Sequence, residues 1–523
     1  MKSNPLITGC ACCPMNRRNF LTRAGTAAAG ALGVLAAPAW LGAAEPKEKM
    51  RIRIVYALHG EKQTGPDWPN KGFDFRPHMD RVNAMLAKEC KGFEFVSSMA
   101  TGEEQAKKLL EQDKAAGNID GYLVYQMNCW NRVVQTLATS GKPVLYADFQ
   151  FGGSGGFLVY TAAFRRSAAP NVGFVASSKP KHLVEAVKCF QVVKQGGTAS
   201  DFVAATAQAR LKGTPGADRS AGKTDPVQCL SANECLRRLK ETKILAVKDD
   251  KSSGPAGEVM GVKVEHLPFV ELNEAWKQAD KDESRAVADR WVKAAKKVED
   301  VSRETLETSA AMYLAERALL KKHGAMGITI NCLGGFYGGH IHAYPCLGFY
   351  QLNTDGLIGG CECDVRSAAT MVIGTTLTQG RPGYISDPVI DTSKRQIIYA
   401  HCVAHNKAFG PAGKTNPYEI LTHSEDRQGA SIRSHLPTGY MTTSLEFDQG
   451  RKEVLFHRAL AVANDPDDRA CRTKLCAEPV GDLEKLFGMW DQWSWHRVTF
   501  YGDLKEPVYA LADAAGWKVV EEA

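Results

Sequence analysis

Short apolar runs recur along the first third of the chain, at residues 52–58, 93–97, 122–126 and 143–147, with stretches of helical composition between them. Continuous apolar runs, as opposed to alternating ones, suit strands buried on both faces of a parallel sheet. Thr101 and Glu104 supply a capping box for a helix over residues 103–111. The pattern predicts an open α/β domain of the Rossmann or flavodoxin-like kind over residues 50–180. The run Gly152-Gly153-Ser154-Gly155-Gly156 lacks GxGxxG spacing and leads into Phe157-Leu158-Val159-Tyr160, so it reads as a flexible loop.

After a Gly- and Lys-rich stretch at 212–223, the strand–helix rhythm resumes. Strands are predicted near 244–247, 262–264 and 328–332, with a long charged helical region over 271–323 between them. Its last helix repeats Leu306, Ala310, Tyr313, Leu314 and Arg317 on one face and stops at Lys321-Lys322-His323-Gly324. Residues 181–365 therefore read as a second open α/β domain. Beyond Arg381 the texture changes to short alternating stretches, as at 396–400 and 441–447, which predicts a β-rich C-terminal domain over residues 366–523.

Composition separates the first 44 residues from the rest. Asn16-Arg17-Arg18-Asn19-Phe20-Leu21, an uncharged Ala/Gly-rich stretch and Gly42-Ala43-Ala44 resemble a twin-arginine export signal with its cleavage site. Four glycines and a proline in that stretch argue against a membrane helix, so no stable membrane insertion is expected after signal removal. The expected location is the periplasm or another exported one. Without this segment 61 basic residues face 58 acidic ones, too small an excess to point to a nucleic-acid partner. Twelve cysteines remain and no CxxC pair exists, so disulfides are permitted and a structural zinc site is weakly supported.

Candidate chemistry concentrates at Gly359–Met371, GGCECDVRSAATM. Asp364 stands where the N-cap of a helix over 365–377 would stand. Asn353-Thr354-Asp355-Gly356, Cys361-Glu362-Cys363-Asp364, Ala369-Thr370-Met371 and the stretch 380–387 together resemble the core of the L-fucose isomerase and L-arabinose isomerase superfamily. The segment Trp495-His496-Arg497-Val498-Thr499-Phe500-Tyr501-Gly502-Asp503 resembles that superfamily's C-terminal histidine strand, and the order of two α/β domains and a β-rich domain is similar too. The resemblance implies aldose–ketose isomerisation of a monosaccharide through an enediol, with a divalent cation, usually Mn²⁺, held by two carboxylates and a histidine. It also implies a homo-oligomer, a trimer or hexamer.

Carried onto this chain, the resemblance makes Asp364 a metal ligand and acid/base, His496 the imidazole ligand, and Glu362 a supporting catalytic residue. The superfamily's glutamate ligand lies about two dozen residues before the aspartate, and counted back from Asp364 that interval holds no glutamate. His340 falls at that spacing and is taken as the third metal ligand, with His342 and Cys346 as the other candidates for the vacant role. His401 and His405 end a strand, so substrate contact is expected of His401. Arg433 and the segment His423-Ser424-Glu425-Asp426-Arg427 offer hydroxyl-binding groups, and Trp495 a flat wall for a sugar face. The missing glutamate supports an alternative, a non-catalytic carbohydrate-binding or scaffold protein. A nicotinamide-dependent oxidoreductase lacks its dinucleotide fingerprint.

Overall fold

The computed structural model describes residues 49–217, 222–223 and 225–523. The export signal read at residues 1–44 lies outside the described residues. Among these, no helix is long and apolar enough to cross a membrane.

The first sheet is five-stranded and wholly parallel, in the order Phe93–Ala100, Met50–Ala57, Gly121–Gln126, Val144–Asp148, Val172–Val175. This is the flavodoxin-like order, with its direction reversal beside Met50–Ala57. Ile54, Val55, Tyr56 and Ala57 are all fully buried, which is why this segment has no polar alternation.

Two local expectations fail here. Gly102, not Thr101, occupies the N-cap of helix Glu103–Ala116, and no side chain caps it; the Thr101 N–H instead donates to Gln105 Oε1 at 2.8 Å. The glycine run 152–156 is not a loop, because it opens helix Ser154–Arg166. A Cβ on Gly153 would lie 2.2 Å from Gln126 O, and one on Gly152 2.6 Å from Met127 O. These glycines let the turn press against the sheet's carboxyl edge. The helix then carries Phe157, Leu158, Val159 and Tyr160 buried on every side, since it sits between the first sheet and the C-terminal strands.

The second sheet runs Ile358–Gly360, Gly327–Ile330, Lys243–Val247, Val262–Leu267, Gly254–Val259, parallel except for the last strand. Helix Arg303–His323 follows its apolar face: Leu306, Ala310, Tyr313 and Leu314 are buried, Ser302 caps its start, and Gly324 ends it at φ 60°.

The C-terminal strands close into a six-stranded antiparallel barrel. Its order is Met441–Asp448, Arg497–Tyr501, Tyr384–Asp391, Gln396–His401, Thr473–Pro479, Glu453–Asn464, and the last strand pairs back with the first. Helix Val365–Leu377 packs against both the second sheet and this barrel. Gly374 lies so close to the barrel that a Cβ there would sit 2.2 Å from Phe500 Cζ.

Candidate metal centre

The helix–barrel junction brings four side chains to one point. Strand Ile358–Gly360 ends in a turn where Glu362 and Cys363 take φ of 61° and 52°, a left-handed pair unusual outside glycine. The Cys363 N–H holds the turn by donating to Ile330 O at 2.9 Å. Asp387 comes from barrel strand Tyr384–Asp391 and His401 from the end of its neighbour, with Asp387 opposite Ala400. His496 precedes strand Arg497–Tyr501, and the pairing of Ser386 with Arg497 sets it beside Asp387.

Glu362, Asp387, His401 and His496 present ligand atoms that all lie within 4.8 Å of one another. His496 Nε2 is 3.2 Å from Asp387 Oδ1 and 3.7 Å from Glu362 Oε2. His401 Nε2 is 3.8 Å from Asp387 Oδ2 and 3.9 Å from Glu362 Oε1. Donor atoms about 2.0–2.2 Å from a shared cation stand roughly 3–4 Å apart, so this spacing fits one ion. Both imidazole Nε2 atoms are buried yet make no hydrogen bond, despite the carboxylates nearby. A buried nitrogen without a partner is costly, and a cation would supply one to His496 Nε2. Two carboxylates with two imidazoles suit Mn²⁺, Fe²⁺ or Zn²⁺.

Asp364 stands behind this group. Its Oδ2 accepts from His496 Nδ1 at 2.9 Å, which turns Nε2 into the cluster. It also caps helix Val365–Leu377, accepting from Ser367 N at 3.1 Å and Ser367 Oγ at 2.9 Å. Burial works against its charge, but His496 outweighs that and holds the carboxyl down to about 2. Ser367 Oγ lies 2.7 Å from Glu446 Oε1 as well. Burial, reinforced by Asp364, pushes Glu446 up to about 8, so Glu446 is a neutral acid at pH 7. Glu446 therefore donates to the serine, the serine donates to Asp364, and Asp364 accepts from His496.

Burial also opposes charge on His496, yet Asp387, Asp364 and Glu362 together hold it well above the ordinary imidazole range. His401 is pushed down by burial and stays neutral. The Cys402 N–H reaches His401 Nδ1 at 2.9 Å, which puts the imidazole proton on Nε2. Glu425 is pushed up to about 8 by burial, with Asp67 and Asp387 adding to the effect against His423.

The expected site residues divide accordingly. Glu362, His401 and His496 are in the cluster, and Asp364 orients His496 from behind it. His340 is elsewhere: half exposed, it pairs with Asp250 at 3.1 Å and stacks on Phe269. His342 lies against Trp276, and Cys346 is buried at the start of helix Cys346–Thr354. Arg433 belongs to the small sheet Ser431–Ser434, Tyr418–Leu421, Lys297–Val298, where Glu419 pairs with it at 3.4 Å. Trp495 packs on His496 and on Trp130 of the first domain, with ring centroids 5.6 and 5.7 Å apart.

Asp387, the fourth member, lies at the end of the stretch 380–387. The superfamily interval of about two dozen residues fits Glu362 followed by Asp387, 25 positions later.

No protein-family model matches the chain. It is similar to the sulfoquinovose isomerase of Clostridium sp. (strain MSTE9), 25% identical over 299 residues, covering 54% of this chain and 65% of that protein. It is also similar to the sulfoquinovose isomerase of Priestia megaterium, 24% identical over 251 residues, covering 47% of this chain and 55% of the relative. The chain thus spans less than two-thirds of the length of the curated relatives it matches. A myo-inositol-bound transporter solute-binding protein of Bacillus halodurans aligns over 57% of this chain and 82% of its own at 13% identity, but a TM-score of 0.18 carries no argument.

Proposed function

We propose that this protein is an exported, metal-dependent isomerase that interconverts the aldose and ketose forms of a free monosaccharide. The observation that carries the reading is the pair of orphaned imidazole Nε2 atoms facing two carboxylates at a spacing suited to one divalent cation. Similarity to sulfoquinovose isomerases supports sugar isomerisation and puts sulfoquinovose first among substrates to try.

Glu362, Asp387 and His496 would hold the cation, with His401 beside them. A divalent cation held there would supply polarisation of the open-chain sugar's carbonyl and adjacent hydroxyl. Glu362, on the longer side chain and in a turn outside the barrel strands, takes the C2 proton and returns it to C1 by way of the enediol. Asp364 keeps His496 in the ligating tautomer. Glu425, neutral at pH 7, donates a hydrogen bond to a sugar oxygen, and Trp495 with Trp130 forms an apolar wall beside His496. Assembly as a homo-oligomer and twin-arginine export remain part of the proposal, on the sequence features given above.

The test is metal analysis after chelator stripping and reloading with Mn²⁺. The parent is expected to hold one ion per chain, and Glu362→Gln, Asp387→Asn and His496→Ala each to lose it. Retention by all three variants, or no binding by the parent, would overturn the reading.

A further inference from the structure

Two buried thiols touch beside the proposed metal centre. Cys332 begins helix Cys332–Tyr337, and Cys361 follows strand Ile358–Gly360, one residue before Glu362. Their Sγ atoms lie 3.3 Å apart, and both residues are no more than 5% exposed. Cys332 Sγ also accepts from the Glu362 backbone N–H, so beside the Cys363 N–H bond to Ile330 O this sulfur is a second tie on the left-handed turn that aims the Glu362 carboxylate.

We propose that Cys332 and Cys361 form a reversible disulfide whose closure releases the Glu362 turn and switches the site off. The effect on catalysis rests on the metal-centre reading above; bond formation and turn release do not. The sulfurs must close from 3.3 Å to a bond length of about 2.05 Å, which takes a side-chain rotation and a small shift of one backbone segment. A peroxide is the oxidant class small enough for a buried pair. Cys332 sulfur attacks the peroxide O–O bond, becoming a sulfenic acid as one water leaves; Cys361 sulfur then displaces the hydroxyl, which departs with the thiol proton as a second water. Two thiols lose two electrons and two protons, and the peroxide is reduced. The bonded Cys332 sulfur is a poorer acceptor and has moved toward Cys361, so the Glu362 amide loses its partner. Export would expose the pair to such oxidants, and an external thiol reverses the bond.

The experiment treats the full chain with hydrogen peroxide, blocks remaining thiols, and maps disulfide-linked peptides. Amide hydrogen exchange across residues 358–364 is read in the reduced and oxidised forms. The expected result is a Cys332–Cys361 linkage, faster exchange at Glu362, and reversal of both by dithiothreitol. Cys361→Ser, which keeps size and leaves Cys332 in place, should show slow exchange with or without peroxide. Oxidation of other cysteines without this linkage, or the linkage with unchanged exchange at Glu362, would overturn the inference. Mn²⁺ titration of the reduced protein answers separately for the isomerase reading, which fails if no ion binds there; of the oxidised protein, it should show affinity down about tenfold or more.

Discussion

Replacing Asp364 with asparagine separates support from ligation at this centre. Asparagine keeps the shape and caps a helix about as well as aspartate, so the bonds to Ser367 survive and the start of helix Val365–Leu377 stays in place. What changes is the charge behind His496 Nδ1 and the certainty of its tautomer. The Asp364 carboxyl sits at about 2 against an ordinary 3.8, so its surroundings, His496 foremost among the favourable ones, outweigh burial by about 2 kcal/mol net. Removing such a partner to a metal-bound imidazole weakens metal binding about 10- to 100-fold. Mn²⁺ calorimetry on stripped protein at fixed pH should therefore show Asp364→Asn binding with unchanged stoichiometry and an affinity lowered by that factor. Asp387→Asn should bind no ion in the same range. If Asp364→Asn abolishes binding while Asp387→Asn keeps it, Asp364 is the ligand and the geometric reasoning is refuted.

Mn²⁺ affinity should rise with pH. His496 is held protonated above its ordinary range in the metal-free protein, so the ion must displace a proton, and affinity falls about tenfold per pH unit on acidification for each proton released. The same raised value means the metal-free fold draws its full benefit from this ion cluster below an imidazole's ordinary range and loses it as pH climbs through the folded value, which urea melts across pH 6–9 would register. His401→Ala should weaken Mn²⁺ binding less than His496→Ala, because the Cys402 N–H places the His401 proton on the ligating nitrogen; equal losses in parallel titrations would contradict that tautomer. Gly374→Ala forces a methyl onto the Phe500 ring, an overpacking cost of about 1–3 kcal/mol against about 1 kcal/mol gained in helix propensity, so chemical denaturation should show a net loss.

Strand runs and the helix at Arg303–His323 were legible in the sequence because burial on both faces, or on one stripe, leaves a periodic mark. The helix from Ser154 was not: sandwiched between sheet and barrel, it buries every side and reads as an apolar run, and its glycines serve close backbone approach instead of flexibility. Barrel closure through Met441–Asp448 and Glu453–Asn464 is a long-range register that no local pattern carries. At the site, the histidine at 496 and the Glu-x-Asp segment were legible by resemblance. The division of labour between Glu362 and Asp364 was not, because it depends on the left-handed turn at 362–363, which sends the glutamate forward and leaves the aspartate behind as the helix cap. Once Asp387 joins Glu362, the shortage of carboxylates that favoured a non-catalytic protein no longer stands as an argument.

Proton exchange at sugar C2 decides whether this metal centre isomerises a sugar. Mn²⁺-loaded protein is incubated in D₂O with sulfoquinovose and a panel of neutral aldoses and ketoses, and the products are followed by NMR. At least one aldose–ketose pair should interconvert, and both conversion and any deuterium entry at C2 should stop on chelation and in Glu362→Gln. Metal-loaded protein that converts no sugar and leaves every C2 proton in place would contradict the isomerase reading.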